Sequence, residues 1–133
     1  MLQLVYISTP RGPVTAADLQ RILAASRRNN GHDGITGLLF FDGVRFMQAL
    51  EGEAAAVEAA FERIRADVRH MAVVTLSRRE IDAREFGLWA MASRTAVEGE
   101  SAMLDRVAEL VADASPAVQA TFNSFAQVRR QAA

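Results

Sequence analysis

Several side chains in this 133-residue sequence stand where an ordinary core would not put them. Gln48 lies in the run ITGLLFFDGVRFMQALEG, Ile35 to Gly52. Under the period-2 alternation of a strand, Val44, Phe46, Gln48 and Leu50 share one face, and Arg45, Met47 and Ala49 share the other. Gln48 is therefore in line with three apolar residues, and a buried amide without partners costs roughly 1–3 kcal/mol. Tyr6 sits on an apolar strand face, where a buried hydroxyl needs a partner. Asn30 closes the run RRNN, unusual because Asn is a poor helix residue away from ends. Trp89 and Met91 alternate on a late apolar stretch. Taken singly, these are a core tyrosine, a satisfied amide, a helix cap and packing.

The elements that must position them can be read in order. Leu2–Ser8 is a first strand with Leu2, Leu4, Tyr6 and Ser8 on one face. Val5 and Ile7 make its other face apolar too, so both sides are covered. Thr9–Pro13 is a loop. Thr15 is placed to cap a helix, with Asp18 completing a capping box and Val14 and Leu19 at staple spacing. Leu19, Ile22, Leu23 and Ser26 continue one helical face until Asn30-Gly31 ends it. Two strands joined at Asp42-Gly43 follow. Val57, Ala60, Phe61, Ile64 and Val68 then form the stripe of a second helix. A strand over Ala72–Ser77, a charged connection from Arg78 to Glu85 and a fifth strand over Phe86–Met91 come next.

The order is βαββαβ with an added strand, the pattern of a ferredoxin-like α+β sandwich. Thr95–Ser101 reads as a polar link, which divides the chain into a domain over 1–94 and a helical extension over 95–133. The extension holds two short helices, about Ser101–Ala114 and Pro116–Arg130, with Ser115-Pro116 as the start signal of the second. Leu104, Val107, Leu110 and Val111 face one way on the first, and Val118, Phe122 and Phe125 on the second. These faces are expected either to cover Val5, Ile7, Met47 and Ala49 or to form a subunit interface.

Composition narrows the chemistry. A formal net charge of −1 provides no field for direct nucleic-acid binding and no polybasic membrane address. No apolar run reaches transmembrane length and the start lacks the features of a signal peptide, so a cytoplasmic protein is expected. There is no cysteine, and His32 and His70 are too isolated for a zinc site. GxGxxG, P-loop and GxSxG patterns are absent. Glu51 and Asp67, carboxylates near element ends, read as solvated or capping groups.

From Met1 to about Met91 the chain resembles the BLUF family, blue-light photoreceptor domains that bind flavin. The matching pieces are LVYIS at Leu4–Ser8, RNN at Arg28–Asn30, ITGLLF at Ile35–Phe40 and FMQALEG at Phe46–Gly52. They continue with DVRH at Asp67–His70 and FGLWAM at Phe86–Met91. The resemblance implies one FAD held non-covalently between the two helices of the βαββαβ unit. It matches Asn30 to an asparagine on the ring's pyrimidine side, Arg69 to a basic residue near that side, and Asp67 to a residue close to the ribityl chain. Ile22, Ile35 and Phe46 fall at pocket-lining positions, and Asn29 stands where some relatives carry histidine. An apolar slot with a few orienting polar groups is also what a cofactor site needs in general.

The resemblance further implies a switch in which excited flavin takes an electron from Tyr6 with linked proton movement. The lasting change is in the hydrogen bonds of Gln48, whose amide carries donor and acceptor on one end. Trp89 and Met91 match two positions that compete for space beside that glutamine and pass its state to the C-terminal helices. About 42 residues follow Met91, fewer than a typical effector domain. The expectation is a short, non-enzymatic sensor acting as a homo-oligomer or on a downstream protein. A flavin-using oxidoreductase and a cofactor-free ferredoxin-like interaction module are the alternatives, and the sequence offers no nicotinamide site for the first.

Overall fold

A computed structural model describes residues 1–67, 70–86 and 96–132. The chain runs β1 (Leu2–Pro10), α1 (Ala16–His32), β2 (Thr36–Phe41), β3 (Phe46–Gly52), α2 (Ala54–Ala66), β4 (His70–Glu80), α3 (Ala96–Leu110) and α4 (Pro116–Ala132). The four strands form one sheet in the order β2-β3-β1-β4, with every neighbouring pair antiparallel. This is an α+β fold.

Alternation along β1 and β3 sorts the core onto the two sheet faces. Leu2, Leu4 and Tyr6 of β1 join Ile35, Leu50, Val57 and Ala60 in a cluster under α2. Val5 and Ile7, with Met47 and Ala49, face the other way onto Met103, Leu104, Val107 and Val111 of α3 and its following turn, and onto Phe122 and Phe125 of α4. The C-terminal helices thus cover the reverse face of the strands that carry Tyr6 and Gln48. Most of the stability of such helices comes from packing of an amphipathic face, which this contact supplies.

Local signals account for several element ends. Thr15 accepts from the Asp18 N–H through Oγ1 at 3.0 Å, and Asp18 accepts from the Thr15 N–H at 3.1 Å, a complete capping box. Ser115 Oγ accepts from the Val118 N–H at 3.3 Å at the start of α4. The hairpin turn is centred one residue later than its sequence suggests. Phe41 pairs with Phe46, and the Asp42 N–H donates to the Arg45 carbonyl at 3.0 Å, so Gly43 and Val44 are the central pair. Gly43 has φ 99°, as a primed turn requires at its first central position. Asp42 works from outside that pair, its Oδ1 accepting from the N–H groups of Val44 (2.8 Å) and Arg45 (2.5 Å). Val44 is exposed rather than part of the core face.

Other boundaries also shift. Helix α1 continues through Gly31 to His32, with Asp33 as its C-cap. Strand β4 extends to Glu80, because Arg78 and Arg79 pair with Leu4 and Gln3 of β1 and their side chains meet Glu58 and Glu85. Helix α3 begins at Ala96, inside the stretch expected as a polar link. The fifth strand over Phe86–Met91 falls outside the described residues except for Phe86, whose backbone is helical rather than extended. Among the described residues no helix is long and apolar enough to cross a membrane.

Candidate functional site

Strand pairing brings Tyr6 and Gln48 together. They are register partners between β1 and β3, on the face covered by α2. The Tyr6 hydroxyl donates a short hydrogen bond to Gln48 Oε1. Tyr6 is 1% exposed, and its ring packs against Phe61 of α2 with centroids 5.1 Å apart at 52°. Burial pushes the phenol well above its ordinary pKa, so it is a neutral hydrogen-bond donor at any physiological pH. The Arg65 guanidinium carbon lies 5.7 Å from the centroid of the Phe61 ring.

Gln48 is 8% exposed and uses only its carbonyl end on Tyr6. Among the described residues its amide Nε2 has no acceptor. Beside it, Phe46 is buried against Phe41, centroids 4.7 Å apart, and the register partner Leu39 is half-buried. Ile35 is buried in the cluster that holds Tyr6. Helix α2 buries Val57 and Ala60 in that cluster, but no described residue of α1 belongs to it. Leu19 and Ile22, on the apolar side of α1, stay half-buried. An amide donor without an acceptor among the described residues, and the half-buried Leu19 and Ile22 of α1, fit a flat ring bearing carbonyl groups.

The remaining expected site residues are less fully placed. Asp67 is half-buried at the C-cap of α2, its N–H donating to the Ile64 carbonyl at 3.2 Å. The backbone of Asn30 lies in the last turn of α1, and its side chain falls outside the description. Arg69, Trp89 and Met91 lie outside the described residues.

Sequence reasoning passed over a second polar cluster on the opposite face. Glu51, expected to be solvated or capping, is 0% exposed, and so is Gln3, its register partner. Its Oε1 accepts from the Phe86 N–H at 2.9 Å, and its Oε2 from the Glu85 N–H and Gln3 Nε2, each at 2.9 Å. It is thus a capping group, but a buried one. The signal was the same as for Gln48: Gln3 shares a strand face with Val5 and Ile7, and Glu51 with Ala49 and Met47.

Fold and site define a small α+β domain with a hydrogen-bonded tyrosine–glutamine pair on the sheet face covered by α2. A family model described as sensors of blue-light using FAD, the BLUF model, matches residues 1–92. The chain belongs to the BLUF family, whose domains sense blue light with a bound flavin. It is 36% identical over 93 residues to photoactivated adenylate cyclase subunit beta of Euglena longa, covering 69% of this chain and 11% of that protein's length. Among solved structures it is similar to the dark state of BlrB, a BLUF protein, at 38% identity and TM-score 0.59, covering 62% of this chain and 63% of that one. The ground state of BlsA matches at 28% identity and TM-score 0.60, covering 83% and 87% respectively.

Proposed function

We propose that the flavin is FAD, held non-covalently between α1 and α2, and that Tyr6 and Gln48 form the light-driven switch. Ile22, Ile35 and Phe46 would line the ring, Asn30 and Arg69 would orient its polar side, and Asp67 would lie near the ribityl chain. When bound, the flavin supplies blue-light absorption and an excited-state electron acceptor. Tyr6 would be the donor of the electron that the excited flavin accepts, and its phenolic proton would move along the existing hydrogen bond towards Gln48. Electron and proton would both return to Tyr6, leaving no net redox change and a rearranged Gln48 amide. The phenol can donate to a carbonyl oxygen or accept from an amide N–H, so Tyr6 satisfies either end of Gln48. The two arrangements differ in which end of the amide faces the ring. The hydrogen bond between Tyr6 and Gln48 at paired strand positions is the observation that carries this reading.

The output would run through Trp89 and Met91 to α3 and α4, acting on a downstream protein in the cytoplasm or on the chain's own homo-oligomer rather than through an enzymatic activity of its own. The packing of α3 and α4 on Val5, Ile7, Met47 and Ala49 supports this, because these residues alternate with Tyr6 and Gln48 along the same two strands. Absorption spectra of the FAD-reconstituted protein before and after blue light test the assignment. A reversible red shift of the flavin bands is expected. A colourless protein after reconstitution, or spectra indifferent to light, would overturn it.

A further inference from the structure

The buried cluster around Glu51 joins three parts of the molecule that the switch must connect. Glu51 is on β3, three residues beyond Gln48, and points to the other sheet face. Its carboxylate accepts from the backbone N–H groups of Glu85 and Phe86, the last described positions before the stretch containing Trp89 and Met91. Gln3 Nε2 bridges Glu51 and Glu85 at 2.9 Å each. Glu85 in turn accepts from Arg79 of β4 at 2.7 Å and from Arg106 Nε of α3 at 2.6 Å. Burial opposes ionisation of the Glu85 carboxyl, but hydrogen bonds from Gln3, Arg106 and Arg79 outweigh it and hold the group below its usual range.

A second clasp fixes the same loop. Arg84 Nη1 donates to Thr36 Oγ1 and to the Glu51 carbonyl, both at 2.7 Å, and its Nη2 donates to the Gly34 carbonyl at 2.8 Å. Residues 84–86 are therefore bolted to the start of β2 and the end of β3, and α3 is tied to that bolt by one ion pair. A buried carboxylate held by three donors is expensive to misplace, so a displacement of β3 carries its partners along.

We propose that Glu51 is a positioning residue of the light response, transmitting movement of β3 through Glu85 and Arg106 to helix α3. The inference rests on the light-sensor reading above. It assigns to α3 a polar tether from the switch strand, in addition to the apolar packing beneath it.

The test uses the full flavin-loaded chain in the dark and under steady blue light, as wild type, Glu51→Gln and Arg106→Met. Absorption reports the switch, and amide hydrogen exchange over residues 96–110 reports α3. All three proteins are expected to show the flavin red shift. The light-dependent change in α3 exchange seen in wild type should fall roughly five-fold or more in both variants, the range of a coupling between sites. A purely structural role would lower the denaturation midpoint and leave that change at full size, which would overturn the proposal. So would loss of the red shift in Arg106→Met, since that would place the cluster inside the photochemistry. If Glu51→Gln does not fold, Arg106→Met decides, because its guanidinium reaches Glu85 from outside the buried cap. A wild type with a red shift but no change at α3 defeats this inference alone, whereas a wild type with no red shift defeats the light-sensor reading and this inference with it.

Discussion

The Tyr6 hydroxyl donates to Gln48 Oε1 across directly paired positions of β1 and β3. The Tyr6 hydroxyl and the carbonyl end of Gln48 are thereby satisfied on the sheet face covered by α2. The pair is held by strand register rather than by a loop, so its geometry depends on the whole sheet.

Replacing Tyr6 with Phe keeps the ring against Phe61 but leaves the Gln48 carbonyl without its donor. A loss of roughly 1–3 kcal/mol is expected, read as a lower urea midpoint. Flavin should remain bound and the light-induced shift should vanish, measured by difference absorption.

Burial of the Tyr6 phenol also sets an alkaline limit. Its pKa is raised in the folded state above the ordinary value of about 10, so the unfolded chain ionises first as pH rises. The stabilisation is complete below that value and declines above it, by at most about 1.4 kcal/mol per pH unit from this group. Urea midpoints of wild type should fall more steeply above pH 10 than those of Tyr6→Phe.

Gly37 faces Leu50 in the β2–β3 ladder, and a Cβ there would overlap the Ala49 carbonyl oxygen. The obstacle is backbone, so β2 itself must move, and with it Leu39 opposite Gln48. Gly37→Ala should lose at least roughly 1–3 kcal/mol, the usual cost of overpacking, in urea unfolding.

Thr15 caps a helix that contributes no described residue to either core cluster. The complete capping box satisfies N–H groups of its first turn. Thr15→Ala should lose about 1 kcal/mol and raise amide exchange selectively across Ala16–His32.

Much of this arrangement was legible because it depends on period. Alternation placed Tyr6 and Gln48 on one face and Val5, Ile7, Met47 and Ala49 on the other, and the helical repeat of Leu104, Val107, Phe122 and Phe125 matched the residues that now cover them. Boundaries were harder. Arg78 and Arg79 look like a surface connection, yet they are strand residues because β1 supplies ladder partners and Glu58 and Glu85 supply counter-charges. Glu51 was hidden for a related reason: its donors are the backbone of Glu85 and Phe86, far along the chain and without any sequence signal. Of the candidate site, strand register could set Tyr6, Gln48 and Phe46, whereas contacts to a ring have no periodic signature.

The proposed exchange of hydrogen bonds at Gln48 is tested most directly by light-minus-dark absorption of the FAD-loaded Gln48→Leu protein beside wild type. Leucine keeps the side chain's approximate bulk and removes both ends of the amide. Wild type should show a reversible red shift, and Gln48→Leu should bind flavin without one. A full red shift in Gln48→Leu would contradict the assignment of Gln48 as the switch.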